Sequence, residues 1–343
     1  MNMKKVLKIS FLSIIGLQMM SACSEITDME TSNDYIVMAV DQITRGTQAM
    51  TATLNSGFGV SCSAYPAADT YTNHGCGSYF YKELVTPNTP TRFFWPTSDY
   101  RVSFFAYYPY GNSAFTVQST ASTNGSPVYA YTVPTAIASQ ADIMTAQVVN
   151  RSCSLTEVVP LSFAHNCADI RFNVYNRGTS SITLHSIGVY GVKYSGTLHD
   201  GVWTLNAATN TTSSNPFLLT LGSTIEGEAT IDVTGSANHF ILLPQTVAAG
   251  TQMIDVDATV GGQRQHYYHS LENSLTLQAG KTYNISIQLG ENGIIVDPES
   301  DISDWTSETK YLSVSDVTTN GTFTQPSVTD GQVMGVEDWT EEE

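Results

Sequence analysis

Charge is scarce in this chain of 343 residues. Asp, Glu, Lys and Arg make up 13% of it, about half the usual share. Long helices ordinarily carry Glu, Lys and Arg on their wet face, so the shortage argues against an all-α protein. Positive charge is scarcer still, with 14 Lys and Arg against 31 Asp and Glu and a formal net charge of −17. A surface of that sign repels phosphate backbones, which excludes a nucleic-acid-binding role. Long apolar runs are also rare. Val6–Met20 is the longest, and it is too short to span a bilayer comfortably. Catalytic signatures are missing as well. The sequence has no G-x-S-x-G elbow, H-E-x-x-H pair, Walker loop or G-x-G-x-x-G turn, so neither an enzyme nor a cofactor is expected. What the chain does have is 41% apolar residues. That is too many for disorder by composition, and the length suffices for more than one domain.

The first 22 residues read as an export signal. Lys4, Lys5 and Lys8 form a basic start, the apolar run follows, and Ser21-Ala22 precede Cys23. Small residues directly before a cysteine resemble a bacterial lipobox, which implies cleavage ahead of Cys23, acylation of that residue, and an outer-membrane lipid anchor. The competing reading is an ordinary signal peptide followed by a chance cysteine. Four cysteines remain, and Cys62–Cys76 and Cys153–Cys167 are each 14 positions apart. An oxidising compartment makes two disulfides plausible, although spacing does not fix their connectivity. Zinc is disfavoured, because no C-x2-C spacing occurs and only His74 and His165 lie nearby. Buried thiols without a bridge stay open as a third reading.

Period-2 alternation recurs throughout. Tyr100, Val102, Phe104 and Ala106 form one apolar row, and Ala168, Ile170, Phe172 and Val174 another. Ile254, Val256, Ala258 and Val260 repeat the pattern, as do Tyr283, Ile285, Ile287 and Leu289. Each row predicts a strand with one face on a core and one in water. Turn clusters such as Pro109-Tyr110-Gly111-Asn112 and Asn176-Arg177-Gly178 punctuate them. Many short strands so punctuated predict an all-β protein of sandwich domains. The expected organisation is a signal peptide (1–22), an N-terminal pro-segment (23–45), two domains (46–150 and 151–306) and a polar tail (307–343). The Thr/Ser/Asn-rich stretch 206–215 reads as a surface excursion.

Two constellations invite a chemical reading. His266 and His269 suggest a metal pair, but an i, i+3 spacing in a strand puts them on opposite faces. Asp255 and Asp257 do share a face. Without a helper base they read as a solvated face rather than a glycosidase pair.

Several stretches, taken in order, resemble the fimbrillin family, the lipoprotein-derived subunits of type V pili. They are Cys23, Tyr35–Val40 leading to Ile43-Thr44-Arg45-Gly46, Phe104–Pro109, Asp142-Ile143-Met144, Leu161–His165, Ala168–Phe172, Leu242–Gln245, Leu277–Tyr283 and Ile302–Trp305. The resemblance implies two transthyretin-like β-sandwiches in tandem. It also implies assembly by strand exchange, in which an arginine-specific protease cuts, an N-terminal strand leaves, and another subunit's terminal segment fills the groove. The partners implied are other pilus subunits, in fimbriae at the cell surface that support adhesion or biofilm formation.

Residues 35–43 suit such a strand, and Arg45 is the only Lys or Arg between Cys23 and Lys82. Arg45 and Gly46 are therefore the expected processing site, with a solvated loop arginine as the alternative. Tyr311–Val317 and Gly321–Thr324 form a candidate donor segment, with a plain polar tail as the alternative. A shaft or tip subunit competes with a basal anchor, which would keep its N-terminal strand. A glycan-binding surface lipoprotein is a further alternative, suggested by 18 tyrosines and by Trp95 and Trp203 near turns.

Overall fold

A computed structural model describes residues 35–44, 54, 57–69, 78–118, 126–153, 157–235, 238–290 and 293–305. The strands, in chain order, begin with β1 (Tyr35–Thr44), β2 (Phe58–Pro66), β3 (Phe80–Val85), β4 (Pro90–Phe94), β5 (Tyr100–Tyr108), β6 (Phe115–Gln118), β7 (Val128–Thr132) and β8 (Met144–Ser152). They continue with β9 (Val159–His165), β10 (Ala168–Asn176), β11 (Ile182–Val189), β12 (Ser195–His199), β13 (Val202–Leu205), β14 (Phe217–Ile225) and β15 (Thr230–Asp232). The last are β16 (Phe240–Leu242), β17 (Gln245–Val247), β18 (Gln252–Val260), β19 (Gln263–Ser270), β20 (Leu275–Leu277), β21 (Lys281–Gly290) and β22 (Gly293–Asp304). One turn of 3-10 helix, Ile137–Ser139, joins β7 to β8. The all-β reading holds, and the four alternating rows fall in β5, β10, β18 and β21.

Two hydrophobic cores organise these strands. The first is built around Phe58, Val60, Trp95, Phe104 and Phe163. Over it lies a seven-stranded sheet of order β3-β2-β5-β8-β9-β1-β4. The second and larger core gathers Phe172, Phe217, Phe240, Ile254 and Ile285. It is enclosed by a sheet of order β15-β10-β21-β22, with β16 also on β10, and by the sheet β14-β11-β18-β19. A further sheet, β13-β12-β7-β6, crosses between the halves of the sequence.

That crossing displaces the expected boundary near residue 150. β9 lies beyond 150 yet closes the first sheet, and β6 and β7 lie before it yet pack Phe115, Val117 and Tyr131 into the second core. β1 is likewise an integral part of the first sheet. Alternation reveals which face of a strand is apolar but says nothing about its partner.

The assumption that every row has a wet face also fails. β10 and β21 run parallel, pairing Asp169 with Thr282 and Ile170 with Tyr283. Both of their faces are buried, as is common for parallel strands. The buried polar side carries a network around Asp169. Arg171 Nε donates to its Oδ2 at 2.7 Å and Thr282 Oγ1 at 3.1 Å, while His239 Nδ1 lies 2.5 Å from Oδ1. Such pairing is what makes a buried charge tolerable. Most of the 206–215 stretch is exposed, as a surface excursion should be, and one buried residue fastens it. Asn210 is buried, donates from Nδ2 to the Val189 carbonyl at 2.8 Å and accepts from the Val192 N–H at 3.0 Å.

Candidate functional site

β1 occupies a slot in the first sheet. Its β-prone sequence turns Ile36 and Met38 inward, and both are fully buried in the first core. Burying those two side chains stabilises the seated strand by about 3–6 kcal/mol. Val37, Ala39 and Val40 are half-buried, and Val40 packs against the same core. On one side β1 runs parallel to β9, pairing Met38 with Val159, Val40 with Leu161 and Thr44 with Ala164. On the other it runs antiparallel to β4, pairing Tyr35 with Phe94 and Val37 with Pro90. The register slips once on each side. The Asn88 N–H donates to the Met38 carbonyl at 2.7 Å, and the Tyr35 ring stacks on Phe94 at 4.3 Å.

The outer wall of the slot does not depend on β1 alone. Phe93 of β4 stacks on Phe80 of β3 at 4.2 Å. Tyr79 donates its hydroxyl to the Phe94 carbonyl at 2.6 Å, and Arg92 pairs with Glu83. β4 is therefore fastened to the far edge of the sheet by side chains, and to β1 by its ladder.

Cys23, Arg45, Gly46, Cys76 and His74 lie outside the described residues, as do the signal peptide and the tail 307–343. Cys62 is buried in the first core. Cys153 and Cys167 carry free thiols, so the two-disulfide expectation gives way to the thiol alternative for this pair. The reason is placement, since Cys153 packs against the first core and Cys167 belongs to the second. His165 Nδ1 lies 2.6 Å from Asp142 Oδ2.

The strand-face logic of the histidines and aspartates holds only in part. Asp255 and Asp257 do share a face of β18, but they are buried rather than solvated. Neighbours on β19 cover them. His266 Nδ1 lies 2.9 Å from Asp255 Oδ1, and Arg264 donates from Nε and Nη2 to Asp257 at 3.0 and 2.6 Å. The Arg264 guanidinium holds the Asp257 carboxyl below the usual carboxylate range. His269 is separate from this group, and burial lowers its pKa. Trp95 and Trp203 are packed on the cores rather than laid out as surface platforms. Trp95 is buried against Phe104, and Trp203 packs on the second core with Nε1 donating to the Asn166 carbonyl at 2.6 Å.

One polar cluster escaped the sequence. Ser126 Oγ lies 2.9 Å from His199 Nε2, and Asp200 Oδ2 lies 3.5 Å from that same nitrogen. A nucleophile relay needs its carboxylate on the other ring nitrogen, so this arrangement does not activate Ser126 as a triad would. The cluster borders a cavity of about 270 Å³ lined also by Gln147 and Asn166. No motif spacing could have signalled it, because β7 and β12 become neighbours only through the sheet that crosses between the halves of the sequence.

A family model described as fimbrillin-like matches residues 33–305. The chain belongs to the fimbrillin-like family. The match begins just ahead of β1 and ends at Trp305, so the seated strand and both cores of this fimbrillin-like chain fall within it. No curated protein matches the chain. Among solved structures, a fimbrial protein from Bacteroides vulgatus ATCC 8482 is 16% identical with a TM-score of 0.58, covering 79% of this chain and 99% of that one. A proposed cell adhesion protein from Bacteroides ovatus ATCC 8483 is 15% identical with a TM-score of 0.49, covering 79% and 96%. At these identities the first likeness establishes the shared fold.

Proposed function

We propose that the chain is a structural subunit of a type V pilus, assembled by protease-triggered strand exchange and supporting adhesion. The observation that carries this reading is the seating of β1 between β9 and β4, with Ile36 and Met38 in the core and Arg45 next in sequence after its last residue. Hydrolysis after Arg45 severs the strand from everything C-terminal to it. Loss of the strand then exposes the ladder edge of β9 and the pockets of Ile36 and Met38. Such an edge is prone to pair with another chain, and a strand from a neighbour satisfies both ladder and pockets. The matching fimbrial fold from Bacteroides vulgatus supports a fimbrial role. Cys23 anchors the precursor to the outer membrane in this reading, and an arginine-specific protease and other pilus subunits are the partners.

Limited trypsin treatment of the purified precursor tests it. One early cut after Arg45, followed by ladders that survive warm detergent, is the expected outcome. Cleanly cut protein that stays monomeric removes the strand-exchange reading, and Arg45→Ala should abolish both the early cut and the ladders.

A further inference from the structure

The outer face of the β14-β11-β18-β19 sheet holds a depression of about 540 Å³. Its floor is unusual for a solvent-facing sheet surface. Asp255 and Asp257 project from β18, and both are nearly dry. Opposite Asp255 on β11 stands Gly188, and the Tyr190 ring lies across that glycine. A Cβ on Gly188 would come within 2.5 Å of the ring. One wall is formed by Arg264, His266 and Tyr268 of β19, and the other by Leu218 and Thr220 of β14.

The polar groups here are fixed rather than floppy. Arg264 grips Asp257 through two hydrogen bonds, and His266 Nδ1 approaches both Asp255 oxygens, at 2.9 and 3.2 Å. Each carboxylate oxygen has two lone-pair directions, so acceptor capacity remains after these bonds. Beside them, the rings of His266 and Tyr268 lie nearly parallel, 12° apart with centroids at 5.9 Å, and Tyr268 is 55% exposed. A flat exposed ring next to preorganised acceptors matches a pyranose, whose C–H face packs on an aromatic ring while its hydroxyls donate to carboxylates. Charge narrows the choice further. Two carboxylates face a single guanidinium on a chain of net charge −17, which disfavours anionic ligands.

We propose that this depression is a binding site for a neutral saccharide, with Tyr268 as the stacking platform and Asp255 and Asp257 as the hydroxyl acceptors. The site is independent of strand exchange, because no residue of β1, β9 or β4 contributes to it.

The test is binding of the purified, unprocessed full chain to a glycan array holding neutral and sialylated glycans, so polymer formation does not enter the readout. At least one neutral glycan is expected to bind. Tyr268→Ala and Asp255→Asn should each weaken that binding roughly tenfold or more. Tyr100→Ala, which removes an exposed tyrosine from β5, should leave it unchanged. Thermal melts of the variants establish that they are folded, and Asp255→Asn keeps the shape of the site. Absence of any neutral-glycan binding overturns the proposal. So does selective binding of sialylated glycans, or binding that survives both substitutions.

Discussion

The imidazole of His165 stacks on the indole of Trp305, their centroids 4.7 Å apart and their planes 16° from parallel. His165 ends β9 and is held by Asp142, so Trp305 fastens the end of β22 to the end of the first sheet. One residue earlier, Ala164 pairs with Thr44, the last residue of β1. Thr44 and Trp305 therefore sit at the same end of β9. Trp305 is buried, and truncating a buried tryptophan typically costs about 3–5 kcal/mol. Trp305→Ala should lower unfolding free energy in urea by that order. A loss below about 1 kcal/mol would mean that the stack adds nothing to the join.

Met38 offers a direct way to loosen β1. Its side chain is fully buried and its carbonyl accepts from Asn88. Met38→Ala should cost about 2–4 kcal/mol. In the seated-strand reading, part of that cost appears as local opening of β1 rather than global unfolding. Hydrogen exchange along residues 35–44 should then accelerate more than exchange along β10 or β21. Equal acceleration everywhere would show that β1 opens only with the whole fold.

Much of this fold was legible because strand alternation survives in the sequence. Tyr100–Tyr108 and Gln252–Val260 fall where their apolar rows predict. What stayed hidden was partnership. Nothing local to Val159–His165 says that it joins a sheet begun by residues 35–44, because long-range pairing depends on surfaces contributed by distant segments. The same holds for Asp169, which reads as a wet-face carboxylate until Arg171, Thr282 and His239 close around it. At the candidate site, β1 occupies Tyr35–Thr44, and a strand over residues 35–43 was readable from β-propensity. The slot walls were not, since β4 is fixed by the Phe93–Phe80 stack rather than by any pattern of its own. The depression over Asp255 was missed for a related reason, as its carboxylates looked solvated until β19 was seen to cover them.

The thiols should differ sharply in reactivity. Burial raises the pKa of both, and for Cys167 the nearby Asp142 adds to the effect. The thiolate is the reactive form, so both should be slow at neutral pH. Cys153 is only partly buried and Cys167 is fully enclosed. Iodoacetamide should label Cys153 first in the native chain, and Cys167 only after unfolding in urea without reductant. Peptide mapping that finds Cys153 joined to Cys167 would refute their assignment as free thiols.

Acid should erase what Arg264 contributes. Its two hydrogen bonds hold the Asp257 carboxyl below the usual carboxylate range, so the folded chain binds that proton more weakly than the unfolded chain does. The resulting stabilisation is fully present above the unfolded value, near 3.9. It is lost as pH falls through the lower folded value. Arg264 is itself well exposed, so the effect is modest and weakens with salt. Urea unfolding of wild type and Arg264→Gln should show the wild type ahead at pH 7. The gap should close as pH drops below the unfolded carboxylate value, and it should be narrower at high ionic strength. A gap that holds constant or widens in acid would show that Arg264 acts through packing of its stem over the sheet rather than through charge.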